Sequence, residues 1–229
     1  ERIASSRNST SIEPSAHLTS PLGGWGGRRM ETVEASLWVE TSGSLHKRAV
    51  ASLNYDELLA SASIRADLTP HRSGIERALL RAQWSRSDAE AEPGEQEKQA
   101  MRRVLSALAA RCPWTLGLEG ALACVCGGLM AHLEEEEDVF WVAVCIVEDM
   151  YPRLYSPSAQ APHGGREEVE EHLMSELGQA LPEVASRFRE LGIPVSMVVD
   201  EWWPTLFSNA LGTDDLAVAW CMLLDREGG

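Results

Sequence analysis

The sequence predicts an all-α fold. Apolar residues recur at three- and four-residue steps in nearly every segment after residue 27, Gly or Pro falls between many of those segments, and no convincing run of alternating strand pattern appears. The periodicity predicts eight to eleven helices without an internal repeat.

Residues 1–27 are rich in Ser, Gly and Pro and end in Gly23-Gly24-Trp25-Gly26-Gly27, so they read as a disordered or linker lead-in, leaving 28–229 as the folded domain. Leu45 to Ile64 reads as helical, with Leu58 and Leu59 on the buried side. Ile75, Leu79, Leu80 and Trp84 form the next apolar stripe. After the acidic break at 85–93, Met101, Val104, Leu105 and Leu108 mark one buried helix face. Leu118–Leu133 is apolar nearly all round, which predicts a central helix. The acidic run Glu134–Asp138 precedes the apolar stretch Val139–Met150, where carboxylates suit the positive end of a helix and solvated capping is the default reading. Pro157, Pro162 and Gly164-Gly165 mark a loop. Two amphipathic helices then meet at Leu181-Pro182, the second stopped by Gly192. Trp202–Leu211 and Asp215–Leu224 are expected to close the chain as two more.

Charge and composition exclude several functions. With 229 residues and 44% hydrophobic side chains the chain has the make-up of a globular protein with a sizeable core. A net charge of −15 repels phosphate backbones and anionic lipid, so nucleic acid is not an expected partner. The absence of an apolar run of about eighteen residues argues against direct insertion in a membrane. The five cysteines contain no CxxC pair, which suggests reduced thiols in the cytosol. Cys124 and Cys126, two apart, would point away from each other on a helix, and packing is their default role rather than metal binding.

Ordered motifs then point to one family. Leu37-Trp38, Ser42-Gly43-Ser44 and Tyr55-Asp-Glu-Leu-Leu59 open the series. Ile75-Glu-Arg-Ala-Leu-Leu-Arg81 follows, then Gln99-Ala-Met-Arg-Arg-Val-Leu105, Cys112-Pro113 and Leu116-Gly-Leu-Glu-Gly120. Glu136-Glu-Asp-Val-Phe-Trp141, Glu148-Asp-Met-Tyr-Pro152, Leu181-Pro182, Leu191-Gly-Ile193, Trp202-Trp-Pro-Thr-Leu-Phe207 and Trp220 with Glu227-Gly228 complete it. In this order and spacing the chain resembles the TBC domain of GTPase-activating proteins for Rab-type small GTPases, regulators of vesicle trafficking.

The resemblance implies a multi-helical domain that acts on a GTP-bound Rab partner and needs no cofactor or metal of its own. It implies a cytoplasmic protein brought to membranes by its GTPase or by flanking domains. Such a domain supplies two groups in trans, the arginine of an IxxDxxR motif and the glutamine of GYxQG. Arg81 falls on the arginine, and a guanidinium suits the charge that accumulates on phosphoryl oxygens. Glu119 falls on the glutamine, Gly117 on the tyrosine and Gly120 on the closing glycine. Arg81 and Glu119 are thus the catalytic candidates, with Gly117 and Gly120 as partner-binding positions.

Three departures weaken the expected activity. Ala78 replaces the motif's aspartate, leaving Asp88 or Glu76 to compensate. Gly117 removes an aromatic ring. Glu119 offers a carboxylate where an amide both donates and accepts. Pro204 and Cys221, in place of the WD aspartate, are expected to affect packing. The sequence therefore predicts an arginine-supplying activator with weakened activity, or alternatively a degenerate interaction module that binds a GTPase without activating it.

Overall fold

The computed structural model describes residues 32–81, 94–155 and 166–224. The proposed lead-in over 1–27 and Trp84 lie outside them. Among the described residues the chain forms twelve α-helical segments and no strand. The first half comprises α1 (Thr32–Thr41), α2 (Ser44–Val50), α3 (Tyr55–Ile64), α4 (Thr69–Arg81), α5 (Glu95–Arg111) and α6 (Glu119–Met130). The second comprises α7 (Glu136–Cys145), α8 (Pro152–Tyr155), α9 (Arg166–Ala180), α10 (Pro182–Leu191), α11 (Ser196–Trp202) and α12 (Thr213–Leu223).

The count exceeds the expected eight to eleven, in part because 45–64 is two helices. Asn54 ends the extended link between them and caps α3, its side chain accepting from the Glu57 N–H at 2.9 Å. The Glu57 carboxylate accepts in return from the Asn54 N–H at 2.8 Å. This reciprocal cap sets the start of α3. Leu58 is buried and Leu59 half-buried; Leu80, expected on the buried stripe, is 87% exposed.

Helix α5 is the hub, packed against α3, α4, α6 and α7. Its Met101, Val104, Leu105 and Leu108 face are all buried, as their spacing predicts. Helix α7 is buried all round from Val139 to Cys145, so continuous hydrophobicity here marks a core helix rather than an amphipathic one. The acidic run before it divides: Glu134 and Glu135 are exposed, while Glu136, Glu137 and Asp138 open α7 at its positive end. Glu136 also bonds Arg103 and Tyr55, and Glu137 bonds Arg48 and the Trp141 indole.

A π-turn, Ile146–Met150, follows α7 and turns Glu148 toward α2 and α5. Glu148 meets Lys47 at 2.6 Å and Arg111 at 2.9 Å, largely out of water. Burial pushes its carboxyl upward, but the Arg111 and Lys47 bonds outweigh that and hold it below the usual range. A carboxyl depressed in the folded state stabilises above its unfolded pKa and loses that contribution as pH falls. Glu76 and Asp67, held down by Arg102 and Arg65, act with the same sign. Glu148→Gln is therefore expected to lower stability at neutral pH and to flatten the stability–pH slope below about pH 4.5, the ordinary value for a glutamate. Urea unfolding from pH 3 to 7 checks it; an unchanged slope would contradict it.

The carboxy-terminal end departs most from expectation. The stretch 203–210 is a chain of hydrogen-bonded turns rather than a helix. Pro204 cannot donate a backbone hydrogen bond and disfavours the helical conformation of the residue before it. Leu206 and Phe207 take positive φ, 47° and 66°, a costly conformation for side chains with a Cβ. The corner is held by its surroundings: the Tyr155 hydroxyl donates to Pro204 O, and the Trp220 indole to Leu206 O, each at 2.9 Å.

Trp220 also stacks edge-on against Trp38, centroids 5.6 Å apart, tying the chain's last described helix to its first. It lies so close to Gly128 on α6 that a Cβ there would stand 2.7 Å from the indole. Trp38 in turn donates from Nε1 to Cys221 Sγ at 3.5 Å, so Cys221 supplies an acceptor, weaker than a carboxylate, to the opening motif. Cys112, Cys126 and Cys145 are buried, Cys124 and Cys221 half-buried, and burial pushes the Cys126 thiol up to about 12.

Candidate functional site

The site is built where α4 packs on α6. Cys112 ends α5, its N–H donating to Leu108 O. Pro113–Thr115 form a single 3₁₀ turn, with the Thr115 N–H and hydroxyl both returning to Cys112 O at 3.0 and 2.8 Å. The chain then turns at Gly117, whose φ of +92° is one a side chain rarely adopts. A tyrosine there would be strained, which accounts for a glycine at this point of the loop. Residue 119 opens α6.

The loop presents Pro113, Trp114, Leu116, Gly117 and Gly120 to solvent, while Thr115 and Glu119 turn inward. Gly117 and Gly120 are therefore exposed, and a Cβ at either would meet nothing within 4 Å. A partner backbone has room to approach both.

Glu119 is 6% exposed. One oxygen, Oε2, accepts from the Gly117 N–H at 3.1 Å. The other, Oε1, lies 2.9 Å from His71 Nδ1, close enough for an ion pair although the two atoms are not aligned as a hydrogen bond. His71 is 3% exposed, and its Nε2 sits 3.0 Å from Pro113 O. A carbonyl only accepts, so Nε2 carries hydrogen. The Nδ1–Oε1 contact is then attractive when a proton lies between them, on the imidazole or on the carboxyl. One histidine thus reaches both ends of the loop.

Gly74, one turn beyond His71, completes the arrangement. A Cβ at Gly74 would stand 2.5 Å from Glu119 Cδ and 2.6 Å from Oε2, nearer than real atoms approach. The Glu119 carboxyl occupies the space that the missing side chain leaves on α4. The positive end of α6 adds a general preference for a carboxylate at its first residue.

Arg81 is the last residue of α4. Ala78 lies one turn before it and is 7% exposed. Of the two acids expected to compensate for the missing aspartate, Glu76 is engaged elsewhere: its carboxylate takes Arg102 Nε at 2.6 Å and Nη2 at 3.0 Å. Asp88 lies outside the described residues.

Sequence reasoning found position 119 but not its two receptors. The signal was available, because 71, 74, 78 and 81 are spaced three, four and three apart and continue one face of α4. Extending the motif face two turns toward the helix start reaches both.

Comparison with known proteins places this chain in a family. The family profile of the Rab-GTPase-TBC domain matches residues 38–229. Human Small G protein signaling modulator 3 is 31% identical over 184 residues, which is 80% of this chain and 24% of that protein. Rat TBC1 domain family member 2A is 28% identical over 120 residues, 52% of this chain and 13% of that protein. The chain thus spans about a quarter or less of the length of these relatives. Among solved structures, the Chlamydomonas flagellar RabGAP TBC domain superposes with a TM-score of 0.69 at 22% identity. That match covers 86% of this chain and 63% of the other, and it bears out the all-α fold. From Trp38 onward, the chain belongs to the Rab-GTPase-TBC domain family.

Proposed function

We propose that this TBC domain, taken as residues 28–229 with 1–27 as a lead-in, docks on a GTP-bound Rab-family GTPase and accelerates GTP hydrolysis weakly. Arg81 is the arginine supplied in trans. Such a group, where fully effective, contributes roughly 10³–10⁵ in rate. Here it acts without a second group from the loop.

One observation carries the weakened activity. The residue at the glutamine position is a carboxylate, and it is folded against His71 and Gly74 with 6% exposure. As a carboxylate it accepts hydrogen bonds without donating, so it cannot hold a water on one side and give a hydrogen to backbone near phosphate on the other. Folded inward, it does not face a partner at all. Ala78 removes the aspartate expected to steady Arg81, leaving that side chain more freedom to lose on engagement.

The same observation favours a second reading, a module that binds a GTPase and leaves its hydrolysis unchanged. The chain would be cytoplasmic and reach membranes through its GTPase or neighbouring domains. Among the described residues no helix is long and apolar enough to cross a membrane.

Binding measured across a panel of Rab GTPases, each loaded with GTP or GDP, is the test. At least one GTP-loaded member is expected to bind more tightly than its GDP form. Absence of binding to every member in both states would sink both readings.

A further inference from the structure

We propose that His71 and the bare backbone of Gly74 form a built receptor on α4 that stores the Glu119 carboxylate away from the loop's outer surface, and that this storage lets the domain dock on a GTP-loaded partner. The inference rests on the docking reading above and deepens it.

The geometry that motivates it is specific. A carboxylate at the first residue of a helix that follows an exposed turn ordinarily points into water, yet Glu119 is buried while Pro113, Trp114, Leu116, Gly117 and Gly120 around it are exposed. Its carboxyl group lies where a Cβ of residue 74 would be, at 2.5–3.0 Å, so that position on α4 admits the group only when it is glycine. A mid-helix glycine is unfavourable for helix formation, which calls for a local reason. The His71 imidazole stands 2.9 Å from Oε1 and the Gly117 N–H 3.1 Å from Oε2. Oε2 therefore has a donating neighbour, Oε1 lies against the imidazole, and the third wall is backbone.

The consequence follows from charge. The chain carries −15 overall, and a nucleoside triphosphate in a docked GTPase is itself strongly negative. A free carboxylate on the facing loop adds repulsion that falls slowly with distance in a poorly hydrated interface. Folding Glu119 onto His71 removes that charge from the interface and pairs it. His71 is thus a positioning residue: it acts on the partner through the conformation of Glu119.

Gly74→Ala in the 229-residue chain tests this without touching the carboxylate or the imidazole. The added methyl evicts Glu119, a flexible side chain, rather than backbone. Hydrogen exchange at the Gly117 amide reports the eviction directly, since that N–H donates to Glu119 Oε2. Gly117 exchange is expected to rise at least about tenfold, with Val104 and Val142 in the core unchanged. Affinity for a GTP-loaded Rab that binds the unmodified chain is expected to fall about tenfold, and affinity for its GDP form to fall less. Adding Glu119→Gln to Gly74→Ala is expected to restore affinity to within about twofold, because an evicted amide carries no charge. His71→Gln, which keeps a hydrogen-bonding amide and loses the imidazole, should reproduce the Gly117 change should Gly74→Ala fold poorly.

Unchanged Gly117 exchange in both variants would overturn the receptor. A freed Gly117 with unaltered Rab affinity, or a double variant that stays weak, would overturn the role in docking. Loss of protection throughout the core in both Gly74→Ala and His71→Gln would reduce the two positions to packing residues and overturn the proposal likewise. If Gly117 responds as expected but no Rab binds any variant, the docking reading fails while the receptor stands.

Discussion

Replacing Glu119 with glutamine and Ala78 with aspartate together is expected to raise GTP hydrolysis on a Rab that binds by about tenfold to a hundredfold. The reference is the loss of roughly 10²–10³ in kcat when one preorganised donor is removed from a site that stabilises developing charge. The amide restores a group that donates and accepts at once. The carboxylate at 78 gives the Arg81 guanidinium an anionic neighbour one turn away on α4.

The two changes should not be additive. Ala78 is buried, and it lies four residues from Gly74, on whose backbone the Glu119 carboxyl rests. Residues four apart on a helix stand about 5–6 Å from each other. Ala78→Asp alone therefore brings a second carboxylate into a buried site near Glu119, and at an effective dielectric of about 20 two charges about 6 Å apart repel by roughly 3 kcal/mol. It is expected to destabilise the fold, and Glu119→Gln is expected to recover most of the loss. A double-mutant cycle read by urea unfolding and by single-turnover hydrolysis checks both parts. Additive stabilities would mean that 78 and 119 do not share the site described. Unaltered hydrolysis in the double variant would mean that Arg81 is not the supplied arginine.

Trp220→Ala is expected to cost about 3–5 kcal/mol, the range for removing a buried tryptophan ring. Three losses coincide there. The indole leaves a cavity over Gly128, which lacks a side chain to fill it. The edge-on contact with Trp38 goes, leaving the Trp38–Cys221 hydrogen bond between α1 and α12. Leu206 O loses its donor at a corner where two consecutive side chains hold positive φ. For a domain of this size the shift in thermal midpoint is about 10 °C or more. Thermal unfolding followed by circular dichroism reads it. A shift of only a degree or two would show that the aromatic pair does not close the fold.

Much of the fold was legible because the core helices carry strong periodicity. Met101, Val104, Leu105 and Leu108 announce one face of α5, and the Leu181-Pro182 and Gly192 signals bound α10 where the structure places it. What failed was local. Leu45–Ile64 reads as one helix because its apolar spacing runs through the break, and only the Asn54–Glu57 capping pair marks the restart. Trp202–Leu211 carries the composition of a helix, but Pro204 and the hydrogen bonds from Tyr155 and Trp220 impose turns.

The site was half legible for a related reason. Order and spacing place residue 119 in the loop, but the direction of its side chain depends on His71 and Gly74, some forty-five residues earlier. A histidine and a glycine on a helix carry no chemical signature by themselves. Their meaning comes from the helix that packs across them, which periodicity does not reveal.

The central claim is that the domain engages its GTPase while its loop withholds the second group. The direct measurement is single-turnover GTP hydrolysis by a Rab already shown to bind, with saturating unmodified domain and with Arg81→Ala beside it. Saturable binding is expected, with acceleration far below the roughly 10³–10⁵ of a complete arginine-supplying activator and only a small further loss in Arg81→Ala. Acceleration within that range, abolished by Arg81→Ala, would contradict the claim.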